Sequence, residues 1–182
     1  MKKLTPIFVI SLFVLLLTGC EQDMTTRSVK GVYEIDVPND MSAAKGLNID
    51  ASMQYENIFN ESYLAIIDED KEDFESAYSL YGKMDTTKSV IANYAQLQVD
   101  FFSEGVNVID KGEFRSIRIN GMDAEQIEFT AAVEGVDSDI YYLMTFIEGE
   151  KNVYMVMTWT LIGNKGEHQQ TFVRMADSFR EL

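Results

Sequence analysis

The chain has 182 residues, with 30 Asp and Glu against 15 Lys and Arg, and a formal net charge of −15. So acidic a chain excludes binding to nucleic acid through its phosphates, which needs a basic footprint, and it is repelled by anionic lipid headgroups. The single cysteine, Cys20, excludes an internal disulfide.

The chain opens as an export signal. Lys2 and Lys3 supply its charge, and 7–17 is an apolar run interrupted by Ser11 alone. That run is short of the roughly 20 residues of a transmembrane helix. Leu16-Leu17-Thr18-Gly19-Cys20 then reads as a lipobox. A signal peptide over 1–19 is expected, followed by a diacylglycerol thioether and palmitate on Cys20. Two or more acyl chains, at about 0.8 kcal/mol per buried methylene, anchor a protein stably. A plain secreted protein or an uncleaved anchor helix would leave the cysteine unexplained.

Once acylated, Cys20 offers neither nucleophile nor metal ligand. Lys2 and Lys3 leave with the signal, so the mature charge is about −17. An aspartate after the cysteine tends to hold Gram-negative lipoproteins at the inner membrane. Glu21 leans toward the outer membrane, and a Gram-positive cell membrane stays open.

Residues 20–30, the lipidated cysteine and a polar stretch without periodicity, are expected to be a flexible tether. A single domain is expected over 31–182. It opens with a strand in which Tyr33, Ile35 and Val37 alternate with polar residues up to Pro38. An irregular connection follows over 39–48. Met53, Tyr55, Asn57 and Phe59 form a second strand and 63–67 a third, with Asn60-Glu61-Ser62 as the turn between them.

The period then becomes helical. Phe74, Ala77, Tyr78 and Tyr81 share one face, with Asp68 or Asp70 as the cap. Val90, Ile91, Tyr94, Leu97, Phe101 and Phe102 form the face of a second helix. Its predicted cap is Thr86 or Thr87, and Gly105 is expected to end it in the left-handed conformation.

Four strands are predicted next, over 108–119, through Ile127, Phe129 and Ala131, over 140–147 and over 153–161. Asn120-Gly121 is a strong hairpin turn. The last two strands are apolar on both alternating sets and so need cover on both faces. A closing helix over 166–181 carries Phe172, Met175, Ala176 and Phe179. The predicted fold is α+β, a mostly antiparallel sheet of six to seven strands flanked by helices on both faces.

This layout resembles the PsbP-like fold superfamily and, within it, the DcrB-like bacterial lipoproteins. The resemblance spans roughly 31–182. It rests on Tyr33, Ile35 and Pro38 in the opening strand, on Gly121-x-x-Ala124, on Tyr141 and Tyr154 in paired strands, and on Phe172 with Ser178-Phe179 at the close. Many such chains have a tryptophan soon after the first proline, where this one has Met41. The resemblance implies an α/β/α sandwich and members that are mostly non-enzymatic binders or assembly factors. Fold analogy alone does not fix function.

No catalytic set is legible. His168, the lone histidine, sits in a polar stretch and reads as a solvated helix residue. Gly-x-Ser-x-Gly, Walker and dinucleotide patterns are absent. Asp68, Asp70 and Asp73 are the metal-ligand candidates. The EF-hand pattern fails, because its sixth and twelfth positions would be Asp73 and Ser79. Some PsbP-like proteins bind calcium or manganese, but the resemblance carries no ligand set onto this chain. Glu125, Glu128 and Glu134 are the acids a glycosidase pair would draw on, and acids this numerous offer such pairs by number alone.

Met155, Met157 and Trp159 read as core or, alternatively, as the lining of a ligand groove. The expectation is a monomeric, non-enzymatic envelope lipoprotein, without cofactor, held by its lipid and binding an unidentified envelope protein. A small-ligand or divalent-metal module is the alternative.

Overall fold

The computed structural model describes residues 22–182. The predicted signal peptide and Cys20 lie outside the described residues. The first strand, β1 (Met24–Val29), pairs antiparallel with β2 (Tyr33–Pro38) along its whole length. The expected tether over 20–30 is thereby corrected, since the ordered domain begins before residue 31. Strand β1 is an edge with polar side chains on both sides. Backbone hydrogen bonds run along it, and only its end residues, Met24 and Val29, pack against the core, so it carries no hydrophobic period to be read.

Strands β3 (Ser42–Ala43), β4 (Met53–Asn57) and β5 (Ser62–Asp70) follow. Then come α1 (Lys71–Leu80) and α2 (Val90–Glu104). The C-terminal half holds β6 (Asn107–Lys111), β7 (Arg115–Ile119), β8 (Met122–Ala132), β9 (Ile140–Glu148) and β10 (Asn152–Leu161). It closes with α3 (Lys165–Asp177) and the short β11 (Arg180–Glu181).

Eight strands form one sheet in the order β3-β4-β5-β10-β9-β8-β6, with β7 also on β8. The remaining three form a small sheet, β1-β2-β11. Every pairing is antiparallel.

Two cores flank the large sheet. On one face, Leu64, Ile66, Tyr141, Leu143, Ile147, Tyr154 and Val156 meet Tyr33, Ile35 and Val37 of β2 and Phe172 and Met175 of α3. On the other, Ile127, Phe129, Tyr142, Met144, Phe146, Met155 and Met157 meet Phe74 of α1 and Ile91, Tyr94 and Val99 of α2. Each fully buried side chain of this size contributes about 1.5–3 kcal/mol. The doubly apolar β9 and β10 are thus the shared wall of two cores, with helices on both sides.

Several local expectations are corrected. The predicted strand over 108–119 is two strands, broken at Gly112. Its N–H donates to the Glu128 carbonyl at 3.0 Å, and a Cβ there would lie 3.2 Å from that oxygen. Ser89, not Thr86 or Thr87, caps α2, its Oγ accepting from the Ala92 N–H at 3.2 Å. Thr87 is engaged with the Asp85 carboxylate instead. Gly105 ends α2 at φ −92°, outside the left-handed region.

Helix α3 stops at Asp177 rather than near 181. There the Ser178 N–H bonds the Arg174 and Met175 carbonyls, and its Oγ accepts from the Asp36 N–H at 2.8 Å. Phe179 therefore leaves the helix and stacks on Tyr33, 5.2 Å between ring centres. The Asn120-Gly121 turn is as predicted, with φ of 48° and 90°.

Candidate functional site

The two faces are closed differently. Between α1, α2, the loop 81–89 and the end of β5 lies an open cleft of about 970 Å³. Asp70 starts α1 by accepting the Asp73 N–H at 2.9 Å. Phe74 is buried and meets Tyr94 edge-on at 5.1 Å, with Tyr78 tilted against it at 4.7 Å. Phe74 and Tyr78, with Ile67, Met84, Leu97 and Phe101, form the apolar part of the lining.

The polar floor is built on Glu69. The Tyr94 hydroxyl and Gln98 Nε2 both donate to its Oε1 at 2.8 Å. Burial, and then the charge of Glu69, push the Tyr94 hydroxyl far above the usual tyrosine range. Asn93 pins the loop. Its Oδ1 accepts from the Asp85 N–H at 2.8 Å, and its Nδ2 donates to the carbonyls of Asp85 and Ser89 at 3.0 and 2.9 Å. The hydroxyl and N–H of Thr87 hold the Asp85 carboxyl below the ordinary range.

Asp50, Asp68, Glu69, Asp85, Asp100 and Glu104 line the cleft against Lys83 and Lys88. A concave, acidic, partly apolar site of this size attracts a cation with an apolar body. Its lining contains no Ser, Thr, Cys or His, so no hydroxyl or thiol nucleophile paired with a histidine base stands in it.

The predicted metal candidates are not brought together. Asp68 lines the cleft, Asp70 is spent as the α1 cap, and Asp73 lies in the first turn of that helix. Among the described residues no group of three or more His, Cys, Asp or Glu is placed to hold a metal ion.

His168 is buried rather than solvated. Its Nε2 lies 3.0 Å from the Asn60 carbonyl and its ring stacks on Phe172, so it joins α3 to the β4–β5 turn. Glu125 and Glu128 are separated by strand alternation. Glu125 accepts from Ser116 Oγ at 2.6 Å, whereas Glu128 faces α3 and pairs with Lys165 Nζ at 2.9 Å. Burial works to raise the Glu128 pKa, and Lys165 outweighs it, holding the carboxyl below the usual range. Met155 and Met157 are core, and Trp159 stacks on Tyr63 at 5.3 Å.

Sequence reasoning missed Glu69, Asn93 and Gln98. Each looks like an ordinary helix or strand-end residue, and only the approach of α2 to β5 joins them. The one signal was Tyr94, a hydroxyl-bearing ring on an otherwise apolar face, which needs a partner when buried.

The fold is that of PsbP. The cyanobacterial PsbP (CyanoP) of Synechocystis sp. PCC 6803 matches with a TM-score of 0.57 over 91% of this chain and 95% of that one, at 15% identity. LpqN, a Mycobacterium tuberculosis protein involved in cell envelope biogenesis, matches with a TM-score of 0.48 over 88% and 90%, at 10% identity. No family model and no curated protein matches the sequence. Identities this low carry the fold alone. Among the described residues no helix is long and apolar enough to cross a membrane.

Proposed function

We propose that this is a non-enzymatic, DcrB-like envelope lipoprotein. It is acylated on Cys20, its domain faces the periplasm or the exterior, and it binds or helps assemble another envelope component through the acidic cleft between α1 and α2. The observation that carries this reading is the cleft itself, open and acidic, with exposed Phe101 on its rim. The lipobox supports the anchor. The partner that fits is a basic segment with apolar side chains.

In-cell crosslinking of the tagged protein, followed by mass spectrometry, tests it. A reproducible partner, seen with the wild type and lost on Asp100→Lys with Glu104→Lys, supports the reading. A partner indifferent to those charge reversals removes the cleft from it. Cys20→Ala is expected to release the folded domain from membranes. If that variant still pelleted after carbonate washing, and the wild type incorporated no palmitate, the anchor would be wrong.

The cleft volume also favours a second reading, a small-ligand or divalent-metal module. Calorimetry against calcium, manganese and zinc separates the two. A stoichiometric micromolar site lost on neutralising Asp68 supports the module, and no heat beyond dilution removes the metal form of it.

A further inference from the structure

The described chain starts against one end of the sandwich. Gln22 Nε2 donates to Asp40 Oδ1 at 2.6 Å, and its Oε1 accepts from Thr171 Oγ1 of α3 at 3.3 Å. The other oxygen of Asp40 accepts from Asn57 Nδ2 at 2.9 Å, at the foot of the β4–β5 turn. One residue, Glu21, separates Gln22 from Cys20. Two residues of fully extended chain reach about 7 Å. The chain between Gln22 and Cys20 is therefore too short to carry a lipid on Cys20 far from this end.

The turn carries Ile58 and Phe59, and Phe59 is 93% exposed. It is nevertheless a fixed turn. Asn57 Oδ1 accepts the N–H groups of Phe59 and Asn60 at 3.1 and 3.2 Å, and His168 Nε2 meets the Asn60 carbonyl. The strand register brings more apolar surface to the same end. Ser62 pairs with Thr160 and Leu161 with Ile140, so the loop 133–139 and the turn after β10 emerge there. They carry Val136 and Ile162, both exposed.

We propose that Ile58 and Phe59 insert into the lipid surface that holds Cys20, seating the domain with this end down. The inference rests on the acylation of Cys20. A rigid exposed aromatic beside an acyl anchor adds a second apolar contact of the interfacial kind, about 5–10 Å into the headgroup–acyl boundary. The occupant is lipid rather than protein because the anchor fixes what lies within reach. Asp40 and Glu61 at the tip disfavour an anionic lipid surface, so a zwitterionic one is the probe.

The test uses full-length Phe59→Cys, labelled with bimane and reconstituted in phosphatidylcholine vesicles containing doxyl-phosphatidylcholine. Acylated Cys20 has no free thiol to compete for the label. Glu150→Cys, in the exposed turn at the far ends of β9 and β10, is the control. The expected result is quenching at position 59 at least about twofold that at position 150. Equal quenching, on protein shown by intact mass to carry the diacylglycerol and by flotation to stay on the vesicles, overturns this inference and leaves the anchor standing. Protein of unacylated mass that does not float overturns both. Protection from iodide that rises with protein concentration, without doxyl quenching, assigns the tip to a second copy and also overturns the inference.

Discussion

The two faces of the large sheet draw on the same strands and reach opposite ends. Under the small sheet and α3, long-range hydrogen bonds clamp the C-terminus. Asn120 Nδ2 donates to the carbonyls of Asp177 and Phe179 at 3.0 and 2.8 Å. The Tyr154 hydroxyl donates to Glu181 at 2.8 Å, and Arg180 pairs with Glu34 at 2.7 Å. Under α1 and α2, the bridge from helix to sheet in the cleft is Glu69 with Tyr94 and Gln98, and the space beside it is open. One face is built for permanence. The other leaves apolar and charged groups available to a partner, and such surfaces come at the expense of local stability.

The comparison is broken hardest at Phe179, which is fully buried between Tyr33 and Tyr154. Phe179→Ala is expected to cost about 3–5 kcal/mol, read as a lower urea midpoint. Asn120→Ala removes two hydrogen bonds from the clamp and places alanine at positive φ. It should cost about 1–3 kcal/mol and speed hydrogen exchange in β11 before the rest of the domain.

Acid should loosen the same face. Burial works to raise the Glu181 pKa, but the Glu150 N–H and the Tyr154 hydroxyl outweigh it and hold the carboxyl below its ordinary value. A carboxyl depressed on folding contributes stability above its unfolded pKa, about 4.3, and loses it as pH falls through the folded value. Glu181→Gln should therefore flatten that part of the pH–stability curve, a smaller effect than the loss of Phe179 or Asn120. Phe101→Ser, on the open face, where the ring is 74% exposed, should change stability by less than about 0.5 kcal/mol. It should weaken partner capture nonetheless, and that dissociation of stability from binding sharpens the contrast between the faces.

Elements with a strong period were legible. Strand β2, helix α2 and the doubly apolar β9 and β10 announce themselves because burial imposes a repeat on the side chains. Strand β1 did not, because a polar edge strand is held by backbone groups that every residue carries. Phe101 carried the helical period of α2 yet faces solvent, since periodicity marks an apolar side chain without saying whether a neighbour covers it. His168 failed in the opposite sense. Its neighbours in sequence are polar, but Phe172 and Asn60 enclose it in space.

By itself the sequence determined the export signal pattern, the expected lipid site, the α+β class and the order of most elements. Those follow from short-range rules: covalent order, turn residues and the alternation that a buried face demands. Tertiary structure alone decided that the strands form two sheets, that one face is sealed and the other holds a cleft, and that Gln22, Asn57 and His168 gather at one end. Each of these depends on contacts between residues far apart in the chain, where a single side chain's chemistry is set by partners its local sequence does not name.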